Sequence, residues 1–124
     1  MWIKFENNPC GKRVGDCVVR AISKALDTTW EDAYMLLCVQ GFMLGDLPNG
    51  NKVFSALLKS KGFKRHTIED CPDCYTVYDF CQDHPKGIYV LGTGSHVVTV
   101  ESGKYYDAWD SGNECPTYYF EKEN

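Results

Sequence analysis

Apolar residues recur at helical spacing through the first half of the chain and alternate with polar ones through the second. After Asp16, Val18, Val19, Ala21, Ile22, Ala25 and Leu26 mark one buried face of a helix over residues 16–26. Thr28 or Thr29 caps a second helix that opens at Trp30, with Trp30, Ala33, Tyr34, Leu37 and Cys38 as its apolar face and Gly41 and Gly45 loosening the chain beyond Cys38. Asn49, Gly50 and Asn51 precede a third helix, with Val53, Phe54, Leu57 and Leu58 inward and Gly62 just past its end. Residues 63–68 suit a short strand and residues 75–84 a short fourth helix. Strands are expected at 87–92, 96–101, 104–109 and 117–120, with Ser102 and Gly103 forming a hairpin turn. Helices first and antiparallel strands after predict an α+β fold, N-terminal helices packed on a C-terminal antiparallel sheet.

Two positions in this pattern carry chemistry. Cys17 falls where a turn becomes the first helix, and Asp16 before it is a natural N-cap. The positive end of the helix dipole stabilises a thiolate there. His96 opens a strand some eighty residues later. A cysteine so held, with a histidine brought to it by the fold, is what nucleophilic cysteine catalysis requires. Each residue alone also suits a plain role, Cys17 as a small core side chain and His96 as a packed ring. The hairpin adds a third group. If its loop is Ser102 and Gly103, Glu101 pairs with Lys104, Val98 faces Asp107 and His96 faces Trp109. Asp107 then lies diagonally beside His96 on one face, with Asp110 on the other. An aspartate bonded to one imidazole nitrogen leaves the other free to take the thiol proton. Trp109 would wall off this pair from water, and Asp110 is the alternative acid should the register slip.

The order of cysteine at a helix start, histidine opening a strand and aspartate on the next strand resembles the papain-like cysteine peptidases. The stretches Gly-Asp-Cys-Val-Val-Arg-Ala-Ile (15–22) and His-Val-Val-Thr-Val (96–100) are most similar to minimal bacterial and phage members, including those that trim double-glycine leader peptides. The likeness runs from about Cys10 to Tyr119. It implies a papain-like fold, with Cys17 as nucleophile, His96 as general base and acid and Asp107 as orienting group. It also implies hydrolysis of a peptide or amide bond through a thioester, without a cofactor. The chain departs from the family upstream of the nucleophile, where a glutamine amide usually donates to the oxyanion. Residues 6–13 contain no glutamine, and Asn8 or Asn7 is the substitute amide, beside the Cys17 backbone N–H.

Length and composition bound the rest. The 124 residues form one domain, 1–124, with 44% hydrophobic content suiting a globular core. A net charge of −4 argues against general nucleic-acid or anionic-membrane binding. No run reaches transmembrane length, and Met1 to Phe5 lack the apolar core of a signal peptide. Seven cysteines without such a signal point to free thiols in a reducing cytoplasm. The expected partner is a peptide or protein substrate, and the sequence sets no oligomeric state. The rival readings are a binding module on the same fold with an unused site, and a zinc-stapled domain. Cys71 and Cys74 form a CxxC pair, and Cys81 with His84 would complete the ligand set. Against it, Val77, Phe80, Cys81 and His84 share one helix face, so Cys81 also suits the core. Lys59, Lys61, Lys64 and Arg65 surround the end of the third helix, where cations complement its dipole; His66 among them is expected to be solvated. Arg20 is expected to pair with Asp16 or a sheet carboxylate.

Overall fold

A computed structural model describes residues 1–69 and 75–123, so Cys71 and Cys74 lie outside the described residues. The fold is α+β, with four helices and a six-stranded mixed sheet among the described residues. In chain order the elements are β1 (Trp2–Lys4), α1 (Cys17–Ala25), α2 (Trp30–Leu44), α3 (Asn51–Ser60), β2 (Phe63–Thr67), α4 (Val77–Asp83), β3 (Ile88–Gly92), β4 (Val97–Glu101), β5 (Lys104–Asp107) and β6 (Tyr118–Lys122). The sheet order is β1-β5-β4-β3-β6-β2. One strand departs from the expected antiparallel sheet: β1 pairs parallel with β5, Trp2 opposite Tyr105. Three residues show no periodicity, so nothing in the pattern announces this strand.

The sheet is covered on both faces. Ile22, Phe54, Leu58, Val90, Val97 and Phe120 belong to the core beneath α1, α2 and α3. Val77, Phe80 and Cys81 of α4 pack on Tyr89, Leu91, Val98, Val100 and Tyr105. Neighbouring residues of β3 and β4 therefore serve opposite cores, which is why both strands are apolar at nearly every position. The one polar side chain in the middle of β4, Thr99, is fully buried and donates to the Ala21 carbonyl at 2.7 Å, fastening α1 to the sheet.

Several expectations are corrected in detail. Thr29 does cap α2, accepting from the Asp32 N–H at 3.0 Å. The buried side of that helix, however, is Ala33, Leu37 and Gly41; Tyr34 is exposed, and Trp30 and Cys38 are half-buried. Gly41 does not loosen the helix. It lets the turn after the helix close against it, since a Cβ there would meet the Asp46 carbonyl oxygen at 2.8 Å. Asp16 occupies the N-cap position of α1 but makes no capping bond. Its carboxylate instead accepts from Arg20 Nη1 at 2.7 Å and Trp30 Nε1 at 2.9 Å. His66 is only half-exposed, with Nε2 3.1 Å from Glu121 Oε1 and its ring stacked on Tyr119. No helix among the described residues is long and apolar enough to cross a membrane.

The β4–β5 hairpin has the expected register, Glu101 opposite Lys104 and Thr99 opposite Tyr106. Its turn residues both have positive φ, 54° at Ser102 and 74° at Gly103. That is the backbone hand that suits the twist of a two-residue hairpin. Only Ser102 is strained by it, because a Cβ disfavours this region by about 1–2 kcal/mol while asparagine tolerates it. Ser102→Asn is therefore expected to stabilise the protein by up to about 1 kcal/mol. Urea unfolding should show a higher midpoint at unchanged slope.

Candidate active site

The N-terminus of α1, the start of β4 and the end of β5 meet at one end of the sheet. Cys17 is the first residue of α1, His96 immediately precedes β4, and Asp107 closes β5. His96 Nε2 lies 2.6 Å from Asp107 Oδ2. That leaves Nδ1 as the ring nitrogen available to Cys17, whose thiol pKa is lowered by hydrogen bonding to the His96 ring and the Val97 backbone N–H. All three residues singled out from the sequence are thus brought together, in the order thiol, imidazole, carboxylate.

Asp107 is fully buried and completely satisfied. Oδ1 accepts from Arg20 Nη2 at 2.9 Å and from the Ala108 N–H at 2.8 Å. Oδ2 accepts from His96 and from Ser111 Oγ, each at 2.6 Å. The bond to Ala108 turns the chain out of the ladder, which is why β5 stops at Asp107 and not at residue 109. Asp110 is turned away. Its carboxylate takes the Tyr105 hydroxyl and the Gly112 N–H, and these bonds hold it below the usual aspartate range. The carboxylate facing the imidazole is therefore Asp107.

The local charges are set by this geometry. For Asp107, burial would raise the pKa. Hydrogen bonds from His96 and Ser111 and the charges of His96 and Arg20 outweigh it and hold the carboxyl below its ordinary value. Burial likewise disfavours the His96 imidazolium. The bonds to Asp107 and Cys17 and their negative charges prevail and push the ring up to about 9. Burial would raise Cys17 too, but the His96 and Val97 donors and the positive charges of His96 and Arg20 lower it. Between the lowered pKa of Cys17 and about pH 9 these shifts favour a thiolate–imidazolium pair. Cys81 behaves oppositely, since burial without an activating partner pushes it up to about 11.

An open cleft of about 380 Å³ runs past Cys17 and His96. Gly15, Ser95 and Ala108 line it with little side-chain bulk, and Lys12 and Arg13 are exposed along it. Trp109 is exposed, lines the cleft and packs its ring on His96 with centroids 4.9 Å apart. It forms one wall as expected. Asn8 also lines the cleft, its Oδ1 accepting from the Cys10 N–H at 2.8 Å, so Nδ2 is the atom left to donate. Asn7 is committed elsewhere, with Nδ2 on Ser23 Oγ at 2.8 Å. Asp16 makes no cap, so its side chain leaves the first N–H groups of α1 open beside the sulfur.

Arg20 spans Asp16 and Asp107 at once, where the sequence suggests one or the other. Ser111 is a site residue that the sequence does not reveal, since a serine between Asp110 and Gly112 carries no signal beyond a turn. Of the residues considered for zinc, Cys81 is buried in the core under α4, and His84 Nδ1 lies 2.9 Å from the Phe80 carbonyl oxygen with its ring stacked on Phe80. Cys38 and Cys115 are half-buried and Cys10 is exposed. No group of three metal-ligating side chains occurs among the described residues. No family model, curated protein or solved structure matches the chain.

The shifted thiol gives a direct test. Near pH 6, iodoacetamide should modify Cys17 before Cys10, Cys38 and Cys115, and leave Cys81 unmodified, as read by peptide mass mapping. His96→Ala should abolish this preference, because it removes both the hydrogen bond and the charge that favour the thiolate.

Proposed function

We propose that this protein is a cysteine hydrolase acting on peptide or amide bonds, with a papain-like arrangement of its catalytic groups. The observation that carries the reading is the connected set of Cys17, His96 and the buried Asp107, opening on a cleft. A thiolate already paired with an imidazolium attacks a carbonyl carbon without first waiting for a proton to leave. The resulting oxyanion would be met by the Cys17 backbone N–H at the helix start and the Asn8 Nδ2 amide from the cleft lining. As the tetrahedral intermediate collapses, His96 gives its proton to the departing amine and the acyl group stays on Cys17 as a thioester. His96, now neutral, takes a proton from water, which attacks the thioester and releases the acid. Asp107 keeps Nε2 protonated throughout and steadies the imidazolium without accepting its proton. Trp109 covers one side of the ring and limits access of bulk water.

The cleft is short and open, so it grips an extended chain over a few residues around the scissile bond. Glycine, serine and alanine in its lining take up little of the space next to that bond. The resemblance to peptidases that trim leader peptides supports the same reaction class.

Screening the purified chain against a peptide and amide library should reveal turnover, and Cys17→Ala should abolish it. Asp107→Asn should lower kcat by roughly 10²-fold or more, because it loses the tautomer-fixing acceptor. Asp110→Asn should change it little. A folded protein whose turnover is untouched by Cys17→Ala would end the hydrolase reading in favour of a binding module.

The pH dependence has a defined sign. Activity needs Cys17 ionised and His96 protonated, so kcat/KM should fall as pH rises through about 9. Asp107→Asn should move this alkaline limb down towards the unperturbed value of 6.5. An alkaline limb unmoved by that substitution would mean that another group sets it.

A further inference from the structure

The side of α2 turned away from the core carries almost no polarity. Its buried residues, Ala33, Leu37 and Gly41, recur every fourth position. On the opposite side Met35, Val39, Phe42 and Met43 recur at i, i+4, i+7 and i+8, and are 60%, 54%, 88% and 69% exposed. Leu44, the last residue of the helix, and Leu47 beyond it are exposed as well. The solvent side of a surface helix ordinarily carries charged residues, yet none occurs between Ala33 and Gly45. Beside this stripe lies a groove of about 510 Å³ between α2 and α3, with Met35, Leu36, Val39 and Leu57 as its apolar lining and Asp32 and Lys61 as charged groups on its border.

We propose that this face binds a second copy of the chain, with the two α2 helices crossing antiparallel about a two-fold axis near Val39. Three observations select a second copy as the occupant. The first is area: Met35, Val39, Phe42 and Met43, together with the groove beside them, present apolar surface approaching the roughly 800 Å² that each partner of a stable interface buries. The second is charge. In a two-fold interface the residue on the axis meets its own counterpart, so a charge there would face itself. The stripe has none. Its acidic residues, Glu31 and Asp32, sit at one end of the helix, and antiparallel crossing sets the two acidic ends apart by about 20 Å, well beyond the roughly 8 Å screening length. The third is shape. With the axis at Val39, Phe42 of one copy lies opposite Met35 and Leu36 of the other, where the groove opens. Phe42, the most exposed of the set, is then the knob and the groove is the hole, exchanged twice by symmetry.

Analytical ultracentrifugation at about 50 μM tests this without reference to any activity. The wild-type chain should sediment at twice its 14.1 kDa mass. Phe42→Glu should sediment as a folded monomer, with unchanged circular dichroism, because the glutamate would be buried against Met35 and Leu36 of the other copy. Val39→Cys should form a disulfide-linked dimer on mild oxidation, whereas Tyr78→Cys, exposed on α4, should not. A monomeric wild type would overturn the proposal and leave the face to a different protein. A dimer unaffected by Phe42→Glu would overturn it by placing the contact elsewhere.

Discussion

The arrangement depends on one buried carboxylate. Asp107 receives four donors, from Arg20, His96, Ser111 and Ala108, and so joins α1, the start of β4, the end of β5 and the turn after it. Its own backbone carbonyl accepts from Phe5 N and Trp2 Nε1 at 2.8 and 3.0 Å, which ties β1 to the same residue. A buried charge of this kind holds only while its partners stay. Removing one partner of such a pair typically costs about 3–5 kcal/mol. The carboxylate that orients the imidazole is therefore also the fastening between helix and sheet, and the site cannot loosen without loosening the fold.

The ion pairs around it explain how a thiolate is tolerated beside an acidic cluster. Arg20 lies between Asp16 and Asp107, and His96 between Asp107 and Cys17, so the two positive groups alternate with the three negative ones. Asp16 and Asp107 neutralise Arg20 and, with it, leave one negative charge for the imidazolium. The thiolate is the remaining charge. It is held by the Val97 N–H and by the unoccupied helix start, which Asp16 leaves open by bonding to Arg20 and Trp30 instead of capping. A capping Asp16 would compete for the donors that the proposed hydrolysis assigns to the oxyanion.

The site is more legible in the sequence than the fold is. The pairing of His96 with Asp107 can be read because a two-residue turn fixes register, and register fixes which side chains share a face. The helices α1 and α3 can be read from strong periodicity. Strand β1 cannot, since three residues have no period and parallel pairing with a distant strand leaves no local trace. The bonding of Asp16 escapes a sequence reading because capping is a local preference, while Arg20 and Trp30 reach it through packing. The expected face of α2 holds at Ala33 and Leu37 but not at Tyr34, because that helix is apolar nearly all round and no polar face marks which side is outward. Ser111 has no signal, because its position depends on the turn that Asp107 itself initiates.

Nuclear magnetic resonance titration of the His96 imidazole nitrogens most directly tests the claim that Asp107 and Cys17 together hold a charged ring. His96 should remain protonated until about pH 9, with Nε2 retaining its proton beyond that point. A ring that titrates near the ordinary value of 6.5 would contradict the claim.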